Sequence, residues 1–134
     1  MSDAINADDY LTKAQESLWS AECECANRRF SNCANRAYYA AFQAAISALV
    51  REGIRSRSGN QWSHGYVQAE FAGRLINRNR RYPVELRSTL TNLLILRGNA
   101  DYRPGAVSEI EAKRGLRKSQ EFFKAIQSGG GKTS

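Results

Sequence analysis

Apolar residues recur at three- and four-residue steps along almost the whole chain, and no segment alternates apolar and polar residues as a half-buried strand would. Stripes of that period are buried by packing helix on helix. The first stripe, Leu11, Ala14, Leu18, Ala21 and Cys25, predicts a helix over 8–27. Asp8 and Asp9 sit at its start, where carboxylates complement the helix dipole. A second helix is predicted over 31–52, ending at Gly53. It carries Cys33, Ala37, Ala40, Ala41, Ala44, Ala45, Ala48 and Leu49, and so much alanine lets neighbouring backbones come close. This segment is therefore the expected central helix. Residues 53–62 read as a polar loop. A third helix, 63–79, carries Val67, Phe71, Leu75 and Ile76 and fails in the basic stretch 77–81. Pro83 suits the first turn of a fourth, 83–103, whose faces are marked by Leu86, Leu90, Leu93, Leu94 and Arg97. Ser108 with Glu111 is a capping-box pattern that opens a fifth, 108–127. The expected fold is all-α, a four- to five-helix up-and-down bundle. It forms one domain over 1–127, followed by a flexible Gly-rich tail at 128–134.

A chain of 134 residues can bury a core without metal or disulfide staples. Its 42% apolar content excludes a disordered chain. No apolar run approaches the roughly 20 residues that cross a bilayer. The acidic start, MSDAINADDY, lacks the apolar core of a signal peptide, so a cytoplasmic location and no membrane association are expected. The cysteines, Cys23, Cys25 and Cys33, are odd in number, and Cys23-Glu24-Cys25 does not have zinc-knuckle spacing. They read as reduced thiols that pack as small apolar residues. No metal and no cofactor are expected.

The net charge is +7, and fifteen of the 20 basic residues are arginine. Arginine's planar fork of donors suits phosphate and carboxylate. The clusters are Arg28 and Arg29; Arg51, Arg55 and Arg57; and Arg74, Arg78, Arg80 and Arg81. They fit a nucleic-acid or nucleotide partner, and they fit a solvated surface with a basic bias equally well.

Gly131-Lys132-Thr133 resembles the end of a phosphate-binding loop, but Ile126 stands where the first glycine belongs and a helix precedes it. His64, the one histidine, is able to serve as an acid or base. With no second histidine and no Ser/His/Asp set, conventional hydrolase machinery and multi-histidine metal sites are not expected. Arg36 and Tyr39 share a helix face, and with Tyr38 they offer donors and rings that can hold a phosphate and stack a base. Packing explains Tyr38 and Phe42, four residues apart, as well. Arg97 and Asp101 lie one turn apart, and an arginine within a leucine stripe is costly without a partner.

Four stretches occur in order over residues 8–127: Tyr10-Leu11-x-Lys13-Ala14-x-Glu16-Ser17-Leu18, Arg36-Ala37-Tyr38-Tyr39-Ala40-x-Phe42, Ser63-His64, and Arg97-x-x-Ala100-Asp101-Tyr102. On them the chain resembles the HEPN domain family (higher eukaryotes and prokaryotes nucleotide-binding). The resemblance implies a helical bundle that forms a homodimer and has an RNA-related function. Many such proteins are ribonucleases of toxin–antitoxin, abortive-infection or CRISPR systems, and small stand-alone ones are often paired with a minimal nucleotidyltransferase antitoxin. In the ribonuclease members an Arg and a His, with four to six residues between them, form a metal-independent site across the dimer. Arg97 matches that Arg, but no His occurs in 98–104, and Tyr102 stands where it would fall at the shortest spacing. A tyrosine is a poor base at neutral pH. The candidate catalytic residues are Arg97, Asp101 and Tyr102. The candidate RNA- or nucleotide-binding residues are Arg36, Tyr39 and His64. Two functions follow from the resemblance: a toxin-like ribonuclease with a degenerate site, or a non-catalytic module that binds RNA, a nucleotide or a partner protein.

Overall fold

A computed structural model describes residues 6–57, 59, 61–102, 105 and 107–129. The helices are α1 (Ala7–Ala26), α2 (Phe30–Arg51), α3 (His64–Glu70), α4 (Thr89–Tyr102) and α5 (Glu109–Gln127), and no strand occurs among the described residues. Of the expected Gly-rich tail, 130–134 lie outside the described residues, as does position 103, where the fourth helix was expected to end.

Both ends of the bundle start on reciprocal caps. In α1 the Asn6 side chain accepts from the Asp9 backbone N–H at 3.0 Å, while the Asp9 carboxylate accepts from the Asn6 N–H at 3.3 Å. In α5 Ser108 Oγ accepts from the Glu111 N–H at 3.1 Å and Glu111 accepts from the Ser108 N–H at 2.9 Å. Each pair satisfies two donors that a helix start leaves open.

The central helix is α2, which packs against α1, α3, α4 and α5. It is buried nearly all round, through Ala34, Ala37, Tyr38, Ala40, Ala41, Phe42, Ala44, Ala45, Ile46, Ala48 and Leu49. Alanine at these positions brings the neighbouring backbones within reach of short side chains. Ser47 Oγ donates to the Ala7 carbonyl at 2.8 Å, and the fully buried Ser119 Oγ donates to the Ala37 carbonyl at 2.7 Å. Gly115 serves the same end between α5 and α4, since a Cβ there would stand 2.7 Å from a Leu96 methyl. Cys23, Cys25 and Cys33 are free thiols. Burial, with Cys25 close by, pushes the Cys33 thiol up to about 12.

Two expectations of regular α-helix are corrected. The predicted helix 63–79 starts as α3, capped by Ser63, and widens into a π-helix over Phe71–Arg78. The wider turn carries Phe71, Leu75 and Ile76 into the core and leaves Arg74 and Arg78 exposed. The predicted helix 83–103 begins as a 3-10 helix, Val84–Ser88, behind an extended Pro83, and becomes α-helical at Thr89. The first stripe is also wider than expected. Tyr10 and Ser17 join Ala14, Leu18 and Ala21 in the core, while Leu11 and Cys25 are half-buried.

Candidate functional site

Three helices bring polar and aromatic side chains together around the ring of Tyr38. On α2, Tyr38 is 1% exposed and stacks on Phe42 one turn later, with ring centroids 5.6 Å apart. The neighbouring Tyr39 meets Tyr38 edge-on at 5.3 Å. At the start of α3, His64 lies 4.9 Å from the Phe42 ring and 5.3 Å from the Tyr38 ring. Its Nδ1 is hydrogen-bonded to the Tyr38 hydroxyl. From α4, the Arg97 guanidinium lies over both tyrosines, 5.1 Å from the Tyr39 centroid and 5.7 Å from that of Tyr38. Arg36 covers Tyr39 as well, at 5.2 Å, and is steered by two hydrogen bonds to Asn35 Oδ1 at 3.1 and 2.8 Å.

The cation–π arrangement explains how an arginine sits on the leucine-rich α4. Each ring face attracts a guanidinium, and the aromatic stack keeps both arginines in place. Asp101 is the other partner of Arg97, with Oδ2 3.4 Å from Nε. The alignment is too poor for a hydrogen bond, so the buried Nε is left without an acceptor among the described residues. The site thus holds two cations, one loosely paired carboxylate and one imidazole.

Electrostatics keep that imidazole neutral. Burial lowers the His64 pKa below its ordinary 6.5, and the charge of Arg97 lowers it further. Burial, and then Tyr39, push the Tyr38 phenol well above the usual tyrosine range against the opposing pull of Arg97. Tyr38 therefore keeps its proton at neutral pH. When Nδ1–H of His64 donates to the Tyr38 oxygen, Nε2 presents a lone pair; when the hydroxyl donates, Nε2 carries the proton. A histidine whose pKa is depressed on folding stabilises the fold fully above its unfolded value, and that contribution is lost as pH falls toward the folded value. Wild type should accordingly lose more thermal stability between about pH 7 and 5 than His64→Phe does. Parallel melting curves for the two proteins check this, and equal pH dependence would contradict it.

Of the six candidates read from the sequence, Arg36, Tyr39, His64, Arg97 and Asp101 lie at or beside this cluster. Tyr102 does not: it is 84% exposed at the end of α4, and none of the described ring contacts involves it. The residue that joins His64 to Arg97 is Tyr38, which was not among the six and whose place in the sequence packing also explains. Among the described residues no group of three or more His, Cys, Asp or Glu stands close enough to hold a metal ion, and no helix is long and apolar enough to cross a membrane.

A family model described as HEPN domain matches residues 7–129. No match to a curated protein accompanies it. The match covers nearly the whole bundle, from the first residue of α1 to just past the end of α5. The all-α fold agrees with it, and the chain belongs to the HEPN family of RNA-related, nuclease-like helical modules.

Proposed function

We propose that the protein is a toxin-like, metal-independent endoribonuclease of low activity, acting in the cytoplasm as one half of a two-component system with a minimal nucleotidyltransferase. The observation that carries this reading is the convergence of Arg97 and His64 on the Tyr38 ring. No histidine follows Arg97 on α4, and the chain's one imidazole reaches the same ring from α3. In the proposed reaction Arg97 holds the non-bridging oxygens of a phosphodiester and offsets the charge that builds on them. Neutral His64 takes the proton of the adjoining 2′-hydroxyl through Nε2. The 2′-oxygen attacks phosphorus, the bond to the 5′-oxygen breaks, that oxygen takes a proton from water, and the hydroxide left behind takes the proton held by His64. Arg36, over Tyr39, adds a second positive charge beside the path of the backbone. Asp101 opposes the phosphate until Arg97 turns from it, which accounts for low activity.

The reading includes a homodimer with α4 at the twofold axis. Ile95 on α4 is 59% exposed, and Val84 just before that helix is 53% exposed. A twofold contact through α4 buries such side chains and sets two copies of Arg97 around one cleft. Wild type is expected to scatter light as a dimer at micromolar concentration and Ile95→Glu as a monomer. A wild-type monomer in the absence of any partner would contradict the arrangement.

Incubating purified protein with single-stranded RNA in the presence of a chelator tests the chemistry. Slow cleavage leaving 2′,3′-cyclic phosphate ends is expected, lost in both Arg97→Ala and His64→Gln. Cleavage that survives both substitutions overturns the assignment. The loose Arg97–Asp101 pair favours one second reading, a non-catalytic module that binds RNA, a nucleotide or a protein. Its signature is RNA binding that weakens as salt rises, with no cleavage. The neighbouring gene tests the pairing: a small nucleotidyltransferase there supports it, and an unrelated gene counts against it.

A further inference from the structure

Close to His64 along the chain, Arg57, Gln61, Trp62, Ser63 and Tyr66 line a cleft of about 330 Å³. That volume is within the range of small-ligand sites, roughly 300–1,000 Å³. The rings of Trp62 and Tyr66 form two of its walls, 6.1 Å apart and inclined at 40°. Each has a further partner. Tyr10 meets Trp62 edge-on at 6.4 Å, and the Tyr66 hydroxyl donates to the Arg55 carbonyl at 2.7 Å. The Arg57 guanidinium lies 5.5 Å over the Tyr66 ring and forms no ion pair among the described residues. Among the described residues no carboxylate lines the cleft, which disfavours a cationic ligand. Two aromatic side chains, a planar cation and the Gln61 amide suit a flat, polar-edged ring attached to an anion.

We infer that this cleft holds an unpaired nucleobase of single-stranded RNA, stacked on Trp62 and Tyr66, with Arg57 on the flanking phosphate. The inference rests on the reading that RNA is what the Arg97 site engages, and it adds a subsite two residues along the chain from His64. Base stacking on aromatic side chains tolerates any sequence, whereas in a duplex the base faces are covered by neighbouring pairs. The cleft therefore selects strand state rather than sequence.

Fluorescence anisotropy with a short, unstructured, fluorescein-labelled RNA at low salt tests it. Trp62→Leu is expected to weaken binding about tenfold, the lower part of the range for losing one stacked base, and Trp62→Phe to restore most of it. Arg57→Gln, on an exposed side chain, is expected to weaken binding and to flatten the salt dependence by about 0.7 in log–log slope, one phosphate contact on a single strand. In a Trp19→Phe background, where Trp62 is the sole indole, RNA should quench its emission. Circular dichroism confirms that each variant keeps its helices. Wild-type affinity in both Trp62→Leu and Arg57→Gln overturns the inference, as does competition by a duplex of the same sequence as strong as by the single strand. If Arg97→Ala alone loses binding, the Arg97 reading stands and the cleft falls. If Trp62→Leu alone loses it, the cleft stands, and the cleavage rate of Arg97→Ala decides the Arg97 reading. No binding by wild type overturns both.

Discussion

Arg97→Ala should cut RNA cleavage about 10²–10³-fold, the usual cost of losing one donor that offsets developing charge on a reacting oxygen. The same change should cost only about 1–2 kcal/mol of stability, mainly the cation–π attraction to Tyr38 and Tyr39. The Asp101 pair adds little, because its atoms are poorly aligned and partly solvated. Removing the buried, unaccepted Nε also takes away a desolvation penalty, which offsets part of the loss. Function should thus fall far more than folding. Initial cleavage rates and melting temperatures on the same preparations check the ratio. If the rate falls only in step with the folded fraction, Arg97 does no more than order α4.

The largest effect on stability is expected at Phe122, which is fully buried on α5 with its ring 5.1 Å from that of Phe71. Phe71 in turn stacks on Tyr82 at 5.4 Å, so the three rings tie α5 to the π-helical segment and the loop after it. Phe122→Ala should cost about 3–5 kcal/mol, from lost transfer energy and the cavity left behind. For a domain of this size that lowers the melting temperature by on the order of 10–15 °C. Truncating Ile110, which is 68% exposed on the same helix, should cost under about 0.5 kcal/mol. Thermal melts of the two variants side by side test the assignment of the core. A Phe122→Ala protein as stable as wild type would contradict it.

The features legible in the sequence are those set by neighbours a few residues apart. The alanine-rich stretch identified α2 as the central helix because close packing needs small side chains all round. The Ser108–Glu111 pair marked the start of α5 because its two hydrogen bonds are local. The matching cap at Asn6 and Asp9 was visible only as acidic residues near a helix start. The π-helix at Phe71 was not legible, since Phe71, Leu75 and Ile76 also fit an α-helical stripe and the wider turn answers to the core they enter. The same division runs through the site. Arg36 with Tyr39 and Arg97 with Asp101 are one-turn pairs, readable from helical spacing. The bond from His64 to Tyr38 spans 26 positions and two helices, and no spacing encodes it. Tyr102 became a candidate because it stands where the family's histidine would fall, yet the structure puts its ring in solvent.

The central claim is that Arg97 and His64 form one electrostatic unit across Tyr38. His64 is the chain's one histidine, so its imidazole resonances can be followed by NMR without ambiguity as pH is varied. The titration is run on wild type and on Arg97→Gln, which removes the charge and keeps a side chain of similar length. The expected result is a wild-type pKa below 6.5, as burial and Arg97 both require, and a higher value in Arg97→Gln. A His64 that titrates at the same pH in both proteins would contradict the claim.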